Sequence, residues 1–405
     1  MKIGILKETK KPIDNRVALT PTQIALLNKE YPNSEIVVQK SDIRAFSDEE
    51  YLNAGVKVVD NLEDCDYLFG IKEAKINTLL SNKHYFFFGH IAKMQEYNRP
   101  LLQAFLNKSI TFTDYEYLTD NDGSRLCAFG WWAGVVGVYY TLRGYGLKAH
   151  LYNLPKPNIH FTLKELLNNL KSIKLPPLKI LVTGNGRVSH GAQYVLNEIG
   201  CRQLDKKEYL NNVPVDILSY HVATLEEIVR HKENKPFSRK HFKEFPFEYN
   251  SIFENWSHYT DILISCHYWG PNDPIYLSTD DLKNPNNKIR MIGDVTCDIM
   301  GSIKSTLRSS THDDPYYDYN PLTEKEEEAF TDKDNITVMA VDTCPNALPR
   351  DASDFFGSML IQNIFKPLLE GEIEKSEVIE KGTIVKKGCL TNRFSYLEDF
   401  AKGHK

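Results

Sequence analysis

The chain has 405 residues, of which 41% are hydrophobic and 25% charged, and its formal net charge is −5 at pH 7. That length suits two domains, the composition excludes a disordered chain, and the negative balance excludes a sequence-independent grip on nucleic acid. Seven cysteines, at 65, 127, 201, 266, 297, 344 and 389, form no C-x-x-C pair, which points to buried thiols in a reducing compartment and to no metal site.

Taken in order, Lys2 to Leu6 read as a first strand, and Thr20-Pro21 starts a helix through Leu27. Ile36 to Val38 is a strand, and Ser47-x-x-Glu50 caps a short helix. Tyr67 to Ile71 and Tyr85 to Phe88 are buried strands, Pro100 to Leu106 a helix and Thr111 to Thr113 a strand. This alternation predicts a parallel sheet covered on both faces. An apolar helix from Gly130 to Arg143 carries Gly134 and Gly137, which permit close packing, and it is expected to lie buried between two domains. The N-terminal ten residues, MKIGILKETK, lack the apolar core of a signal peptide. Residues 128–140 are too short and glycine-rich to span a bilayer, so a cytoplasmic protein with no membrane partner is expected. Thr162-x-x-Glu165 caps another helix.

The segment Lys179 to Asp205 joins an apolar strand, Ile180 to Val182, to Gly184, Gly186 and a helical pattern. A strand, glycine turn and helix in that order make a dinucleotide-binding corner, in which backbone N–H groups and the positive end of a helix meet a pyrophosphate. The following glycine stands at 191 rather than 189, so the fingerprint is imperfect. Asp205 stands where an acid could accept both hydroxyls of an adenosine ribose. Residues 206–258 are polar and of mixed charge and read as an insertion or lid. Strands resume at Asp261 to Ser265, Met291 to Val295 and Ile336 to Val341, and their ends carry His267, Tyr268, Asp294, Thr296, Asp342 and Thr343. Glu324 to Glu328 reads as a solvated loop or helix. A helix from Asp351 to Leu369 is expected to return to the first domain. The fold class is therefore α/β, with two Rossmann-like domains of parallel strands and a cleft between them. The first, discontinuous domain takes residues 1–130 and 346–405; the nucleotide domain takes 131–345.

Four residues outside the corner suit chemistry. Lys72 ends a buried strand, where desolvation would make it a proton acceptor, and His90 follows another strand and offers an imidazole for acid–base work. Arg16 and Arg125 could bind carboxylates with their planar forks.

Several segments resemble a known family. Gly4 to Thr9, Asn15 to Pro21 and Gly70-Ile71-Lys72 are similar to the alanine dehydrogenase and transhydrogenase superfamily. Phe88-Gly89-His90, Asp114 to Leu118, Arg125 to Gly134, Val182 to Gln193, Asp294 to Ile303 and Val341 to Phe356 resemble lysine-forming saccharopine dehydrogenase and the lysine–ketoglutarate reductase domain. The resemblance covers nearly the whole chain. It implies an oxidoreductase that interconverts lysine, 2-oxoglutarate and reduced nicotinamide nucleotide with saccharopine, by imine formation and hydride transfer. It implies Lys72 as the base for the secondary amine and His90 as the acid–base group for carbinolamine steps. Arg16, Gln95, Arg125 and Phe129 match substrate positions, with Glu116 and Lys93 as charged neighbours. Gly184, Gly186, Arg187, Asp205, Tyr268, Val295, Val341, Asp342, Thr343 and Cys344 match cofactor positions.

This chain departs from the fungal enzymes at Ser124, Tyr209 and Ser189-His190, all near the expected cofactor. Asp205 would repel a 2′-phosphate and tilts the expectation to NAD over NADP. Arg187 and Arg202 could receive one, and the reductase domains tend to use NADPH. The alternatives are another amino-acid or opine-type dehydrogenase, such as alanine dehydrogenase, and a catalytically silent nucleotide sensor. The oligomeric state and the role of 206–258 are left open by the sequence.

Overall fold

Short apolar runs bounded by turn residues become buried strands. In chain order these are β1 (Lys2–Ile5), β2 (Glu35–Gln39), β3 (Val58–Val59), β4 (Tyr67–Lys72), β5 (His84–Phe88) and β6 (Thr111–Asp114). Then come β7 (Lys179–Thr183), β8 (Arg202–Gln203), β9 (Ser219–Ala223), β10 (Val229–His231), β11 (Tyr249–Ser251) and β12 (Ile262–Ser265). The last are β13 (Met291–Asp294), β14 (Tyr316–Asn320), β15 (Lys325–Glu327), β16 (Ile336–Met339), β17 (Thr383–Lys386) and β18 (Cys389–Leu390). The computed structural model describes residues 1–211 and 214–403. Residues 212 and 213, in the expected insertion, and 404 and 405, in the expected C-terminal part, lie outside the described residues.

The chain divides into two units. The first comprises Met1–Phe129 with Pro349–Lys405, and the second Gly130–Leu348. The first unit holds an eight-stranded sheet in the order β18-β17-β6-β5-β4-β1-β2-β3. Its β1 to β6 pair in parallel, while β17 and β18 add antiparallel strands beside β6. The second unit holds another eight-stranded sheet, in the order β15-β14-β16-β13-β12-β7-β9-β8. This sheet is parallel except where β14 and β15 extend it past β16. The fold is thus α/β with two mostly parallel sheets.

The capping sequences form as their chemistry dictates. Thr20 with Gln23, Ser47 with Glu50 and Thr162 with Glu165 each close a reciprocal capping box, satisfying two N–H groups at each helix start. In the first core, Phe69 stacks on Phe86 and on Phe365, each at 4.4 Å between ring centroids. Phe365 ends a π-helical segment, Ile361–Phe365, which interrupts the helix expected over 351–369.

Three other expectations change. The apolar helix runs over Gly130–Lys148 and packs within the second unit, against the helix Arg187–Glu198 and β13. An added Cβ at Gly134 would stand 1.8 Å from the Val188 carbonyl oxygen, and one at Gly137 would stand 2.4 Å from Val295 Cγ2. The segment 206–258 is not wholly an insertion, because it contains β9, which pairs along its length with β7. The sequence of β9, SYHVA, carries polar residues, yet Ser219 and His221 are buried. The acidic stretch at 324–328 forms the edge strand β15, where charged side chains are tolerated on an open edge.

Candidate functional site

Two groups of polar residues lie at the carboxyl ends of the first sheet. Lys72 is the last residue of β4 and faces Phe88, the last residue of the parallel strand β5. His90 follows two residues later with φ 54°, a left-handed backbone conformation that costs energy for a non-glycine residue. Asp114, the last residue of β6, holds that turn. Its Oδ2 accepts the N–H groups of Gly89 at 3.1 Å and His90 at 3.0 Å, and its Oδ1 accepts that of Glu116 at 2.9 Å. Burial pushes the Asp114 carboxyl up to about 6, against the pull of those N–H groups and of His90.

Around His90 the structure gathers three of the expected residues. His90 Nδ1 lies 3.1 Å from Glu116 Oε2 and 3.2 Å from Lys93 Nζ. Lys93 Nζ also lies 3.1 Å from Glu116 Oε1, to which the half-exposed Arg125 is paired. Burial would raise the Glu116 pKa, but the His90 hydrogen bond and the Arg125 and Lys93 cations outweigh it and bring it down to about 2. This geometry gives the imidazole two modes. With Nδ1–H donating to Glu116, the neutral ring has a lone pair on Nε2 and is basic there, and the imidazolium has an Nε2–H to give and is an acid.

The second group surrounds Lys72. Arg16 is buried, and its fork engages Asp14, with Nε at 2.9 Å from Oδ1 and Nη2 at 2.5 Å from Oδ2. The sequence assigns that fork to a substrate carboxylate, whereas a bidentate internal partner already occupies two of its donors. Burial opposes the charge on Asp14, yet Arg16 and Lys72 hold its carboxyl below the usual range. The Arg16 guanidinium lies 4.1 Å from the Phe129 ring centroid, and Phe129 stacks on Phe356 at 4.3 Å. Phe129 also contacts Phe88, so this aromatic cluster connects the two groups. Gln95 is exposed, and its Oε1 accepts the Tyr97 hydroxyl at 2.7 Å. It is not among the contacts of His90.

Sequence reasoning assigns no role to Asp14, Asp114 or Glu8. The first two carry a legible signal: Asp14-x-Arg16 puts an acid within reach of the guanidinium, and Asp114 ends an apolar strand.

In the second unit the glycine corner forms at the end of β7. Gly184 has φ +82°, and a Cβ there would stand 2.8 Å from His267 Cα, so only glycine fits without strain. Gly186 is the N-cap of the helix Arg187–Glu198 and opens to space, with nothing within 4 Å of where a Cβ would stand. A Cβ at Gly191 would stand 1.9 Å from the Trp131 carbonyl oxygen, so the displaced third glycine serves helix packing. These features fit a pyrophosphate, because backbone N–H groups at the helix start have an unobstructed approach.

The other expected cofactor residues ring the ends of this sheet. Tyr268, after β12, is 87% exposed. His267 bridges Thr183 Oγ1 and Ser302 Oγ, and burial pushes it down to about 4, so it is neutral. Val295 follows Asp294, which accepts hydrogen bonds from Ser265, Thr296 and Thr306. In the turn 341–344, the Thr343 carbonyl faces His312 Nε2 at 3.0 Å, and the buried Cys344 thiol donates to the Val341 carbonyl. Asp342 is exposed, as is Arg187.

Asp205 lies elsewhere than expected. The strand bordering β7 is β9, which ends in Ala223, and Asp205 follows β8, one strand farther out. Its Oδ1 accepts the Glu208 N–H at 2.8 Å and caps a short helix, Lys206–Tyr209. The expectation requires the strand after the glycine helix to return beside β7, and here the chain places β9 between them. Asp205→Ala is therefore expected to cost about 1 kcal/mol of stability through the lost cap and to leave the ratio of NADH to NADPH affinities unchanged, read by chemical unfolding and nucleotide titration.

Among the described residues one group has the makings of a metal site: His231, His241 and Glu248, whose ligand atoms lie within 4.8 Å of one another. Its hydrogen bonds explain it without a metal. His231 Nδ1 accepts the Glu233 N–H at 3.0 Å, so in the neutral ring Nε2 holds the proton and donates to Glu248 at 3.2 Å.

None of the seven cysteines is joined in a disulfide; five are buried, Cys297 is partly buried and Cys389 exposed. No helix among the described residues is long and apolar enough to cross a membrane.

Known proteins resemble this chain over most of its length. Residues 4–136 match the family model "Alanine dehydrogenase/PNT, N-terminal domain". Over 99% of its length the chain is 31% identical to alpha-aminoadipic semialdehyde synthase of Arabidopsis thaliana, covering 42% of that protein. It is 28% identical to the mitochondrial synthase of Mus musculus over 98% of this chain, covering 47% of the other. The chain thus spans less than half the length of these relatives. It is 27% identical to saccharopine dehydrogenase [NAD(+), L-lysine-forming] of Schizosaccharomyces pombe, over 89% of this chain and 91% of the other. In fold it matches a solved L-alanine dehydrogenase with a TM-score of 0.67 at 18% identity, covering 100% of this chain and 99% of that one.

Proposed function

We propose that this chain, a saccharopine-dehydrogenase-like protein of the alanine dehydrogenase/PNT superfamily, interconverts lysine plus 2-oxoglutarate with saccharopine, using a nicotinamide nucleotide. The single observation that carries the reading is the placement of Lys72 and His90 at the carboxyl ends of adjacent parallel strands, each in its own charged network. The likeness to lysine-forming saccharopine dehydrogenases supports the substrate class.

In this reading the ε-amine of lysine adds to the keto carbon of 2-oxoglutarate. His90 gives a proton to the departing hydroxyl of the carbinolamine and takes one from water in the reverse direction. Glu116 on Nδ1 supports both the neutral base and the imidazolium acid. A bound nicotinamide supplies the hydride that reduces the imine. Lys72 exchanges the proton of the resulting secondary amine. Arg125, half-exposed beside Glu116, is the cation best placed to receive a substrate carboxylate. Gly184, Gly186 and the N-terminus of the helix Arg187–Glu198 would hold the pyrophosphate. Since Asp205 follows the outer strand β8 and caps a helix there, the ground for favouring NAD over NADP is removed, and both belong in the test.

That test follows absorbance of the reduced nicotinamide with lysine plus 2-oxoglutarate, and separately with pyruvate plus ammonia. Oxidation of either nucleotide only with the first pair supports the proposal. Turnover only with the second makes the chain an alanine dehydrogenase. Nucleotide binding without turnover on either pair makes it a sensor. We further place the protein in the cytosol, on its mostly buried cysteines that form no disulfide; fractionation with the mitochondria would overturn that.

The Glu116 network also sets a pH dependence. A carboxyl whose pKa falls from 4.5 to about 2 on folding stabilises the native state above pH 4.5, and this contribution is lost as pH falls towards 2. It amounts to roughly 3 kcal/mol. The stability gap between wild type and Glu116→Gln, read by urea unfolding, is expected to be full at neutral pH and to close across that acid window.

A further inference from the structure

The backbone of Lys72 is held by a carboxyl group that has no acid–base role in the reaction proposed above. Glu8 lies in the loop after β1 and is 8% exposed. Its Oε1 accepts the Ile71 N–H at 2.6 Å and its Oε2 accepts the Lys72 N–H at 2.9 Å. The reason for this contact lies in the sheet. β1 accompanies β4 only as far as Phe69, whose carbonyl takes the Leu6 N–H at 2.8 Å. Beyond that point β4 continues without β1, and its register with β5 breaks between Phe69 and Lys72. Successive N–H groups of a regular strand point to opposite edges. Both reach one carboxylate here, so the strand curls, and Glu8 supplies the acceptors that the β1 backbone no longer offers.

We propose that Glu8 is the positioning residue for Lys72, bridging the peptide N–H groups of Ile71 and Lys72 and so fixing where the Lys72 side chain leaves the sheet. This rests on the reading of Lys72 as the group that exchanges the amine proton. The groups that face Glu8 are Asp14, Arg16 and the buried Tyr115, and the Lys72 cation bears on Asp14. Burial and the Asp14 charge push Glu8 up to about 8, against its two N–H partners and Arg16. Through neutrality it is therefore largely protonated, and it ionises only in mild alkali.

Glu8→Gln in the full chain tests this, because glutamine keeps the size but offers one acceptor oxygen, leaving the second N–H facing a donor. The expected result is a fall in kcat of about 10-fold to 100-fold with KM for saccharopine within about threefold. Nucleotide affinity, which belongs to the other unit, stays unchanged. The wild-type rate profile is expected to show an inflection near pH 8 that Glu8→Gln lacks, a difference that a merely structural role would not produce. Glu8→Asp, which keeps the carboxyl group on a shorter side chain, should recover part of kcat. It also replaces the glutamine variant if that one does not fold. Wild-type kcat and profile in either folded variant, with Lys72→Met inactive, overturns the role of Glu8. Turnover retained in Lys72→Met overturns the underlying reading instead.

Discussion

Lys72→Met is expected to lower kcat for saccharopine oxidation by about 1,000-fold, while nucleotide affinity stays within about twofold of wild type. Methionine fills similar volume and cannot take a proton. The residue stands at the end of β4 on the first unit, and the glycine corner stands on the second, so binding and turnover should separate. Removing the cation also takes away one of the charges that keep Asp14 ionised. A modest loss of stability is therefore expected and should be measured alongside. Steady-state rates with fluorescence titration of the nucleotide read both quantities. Turnover that survives the substitution would remove the acid–base assignment.

The second large effect separates two glycines that look alike in sequence. At Gly186 an added methyl meets open space and the backbone has φ −104°, which alanine adopts. Gly186→Ala is therefore expected to change stability by less than about 1 kcal/mol. The methyl would nevertheless stand where a pyrophosphate must approach, and nucleotide affinity should fall by about 10-fold to 100-fold. At Gly134 the methyl would meet backbone atoms, the Val188 carbonyl oxygen at 1.8 Å and the Ala192 nitrogen at 2.8 Å. Gly134→Val should force the two helices apart and cost about 3 kcal/mol or more. Thermal unfolding and titration of both variants check this. An unchanged nucleotide affinity in Gly186→Ala would remove the glycine corner from the binding site.

The sequence exposes what is local and hides what depends on strand order. The capping boxes and the strand–glycine–helix corner are local patterns, and they form where the residues indicate. The buried parallel strands are readable because a strand covered on both faces is apolar throughout, as in the centre of β7. Asp205 is misread for the opposite reason: nothing near it reveals that β9, which comes later in the chain, lies between β7 and β8. The strands β14, β15, β17 and β18 are hard to see because strands near a sheet edge carry polar and charged residues. At the candidate site, Lys72 and His90 can be found from their positions after apolar runs. The commitment of Arg16 to Asp14 cannot, since whether a fork meets its neighbour or a ligand depends on burial.

The antiparallel strand β17 covers one side of β6, the strand whose last residue braces the turn carrying His90. A recombinant fragment trimmed to the family match at residues 4–136 would omit it. Such a fragment would bare a row of unpaired amides along Thr111–Asp114, a template for self-association into aggregates. Expression of the first unit alone therefore requires grafting the C-terminal segment back on through a linker.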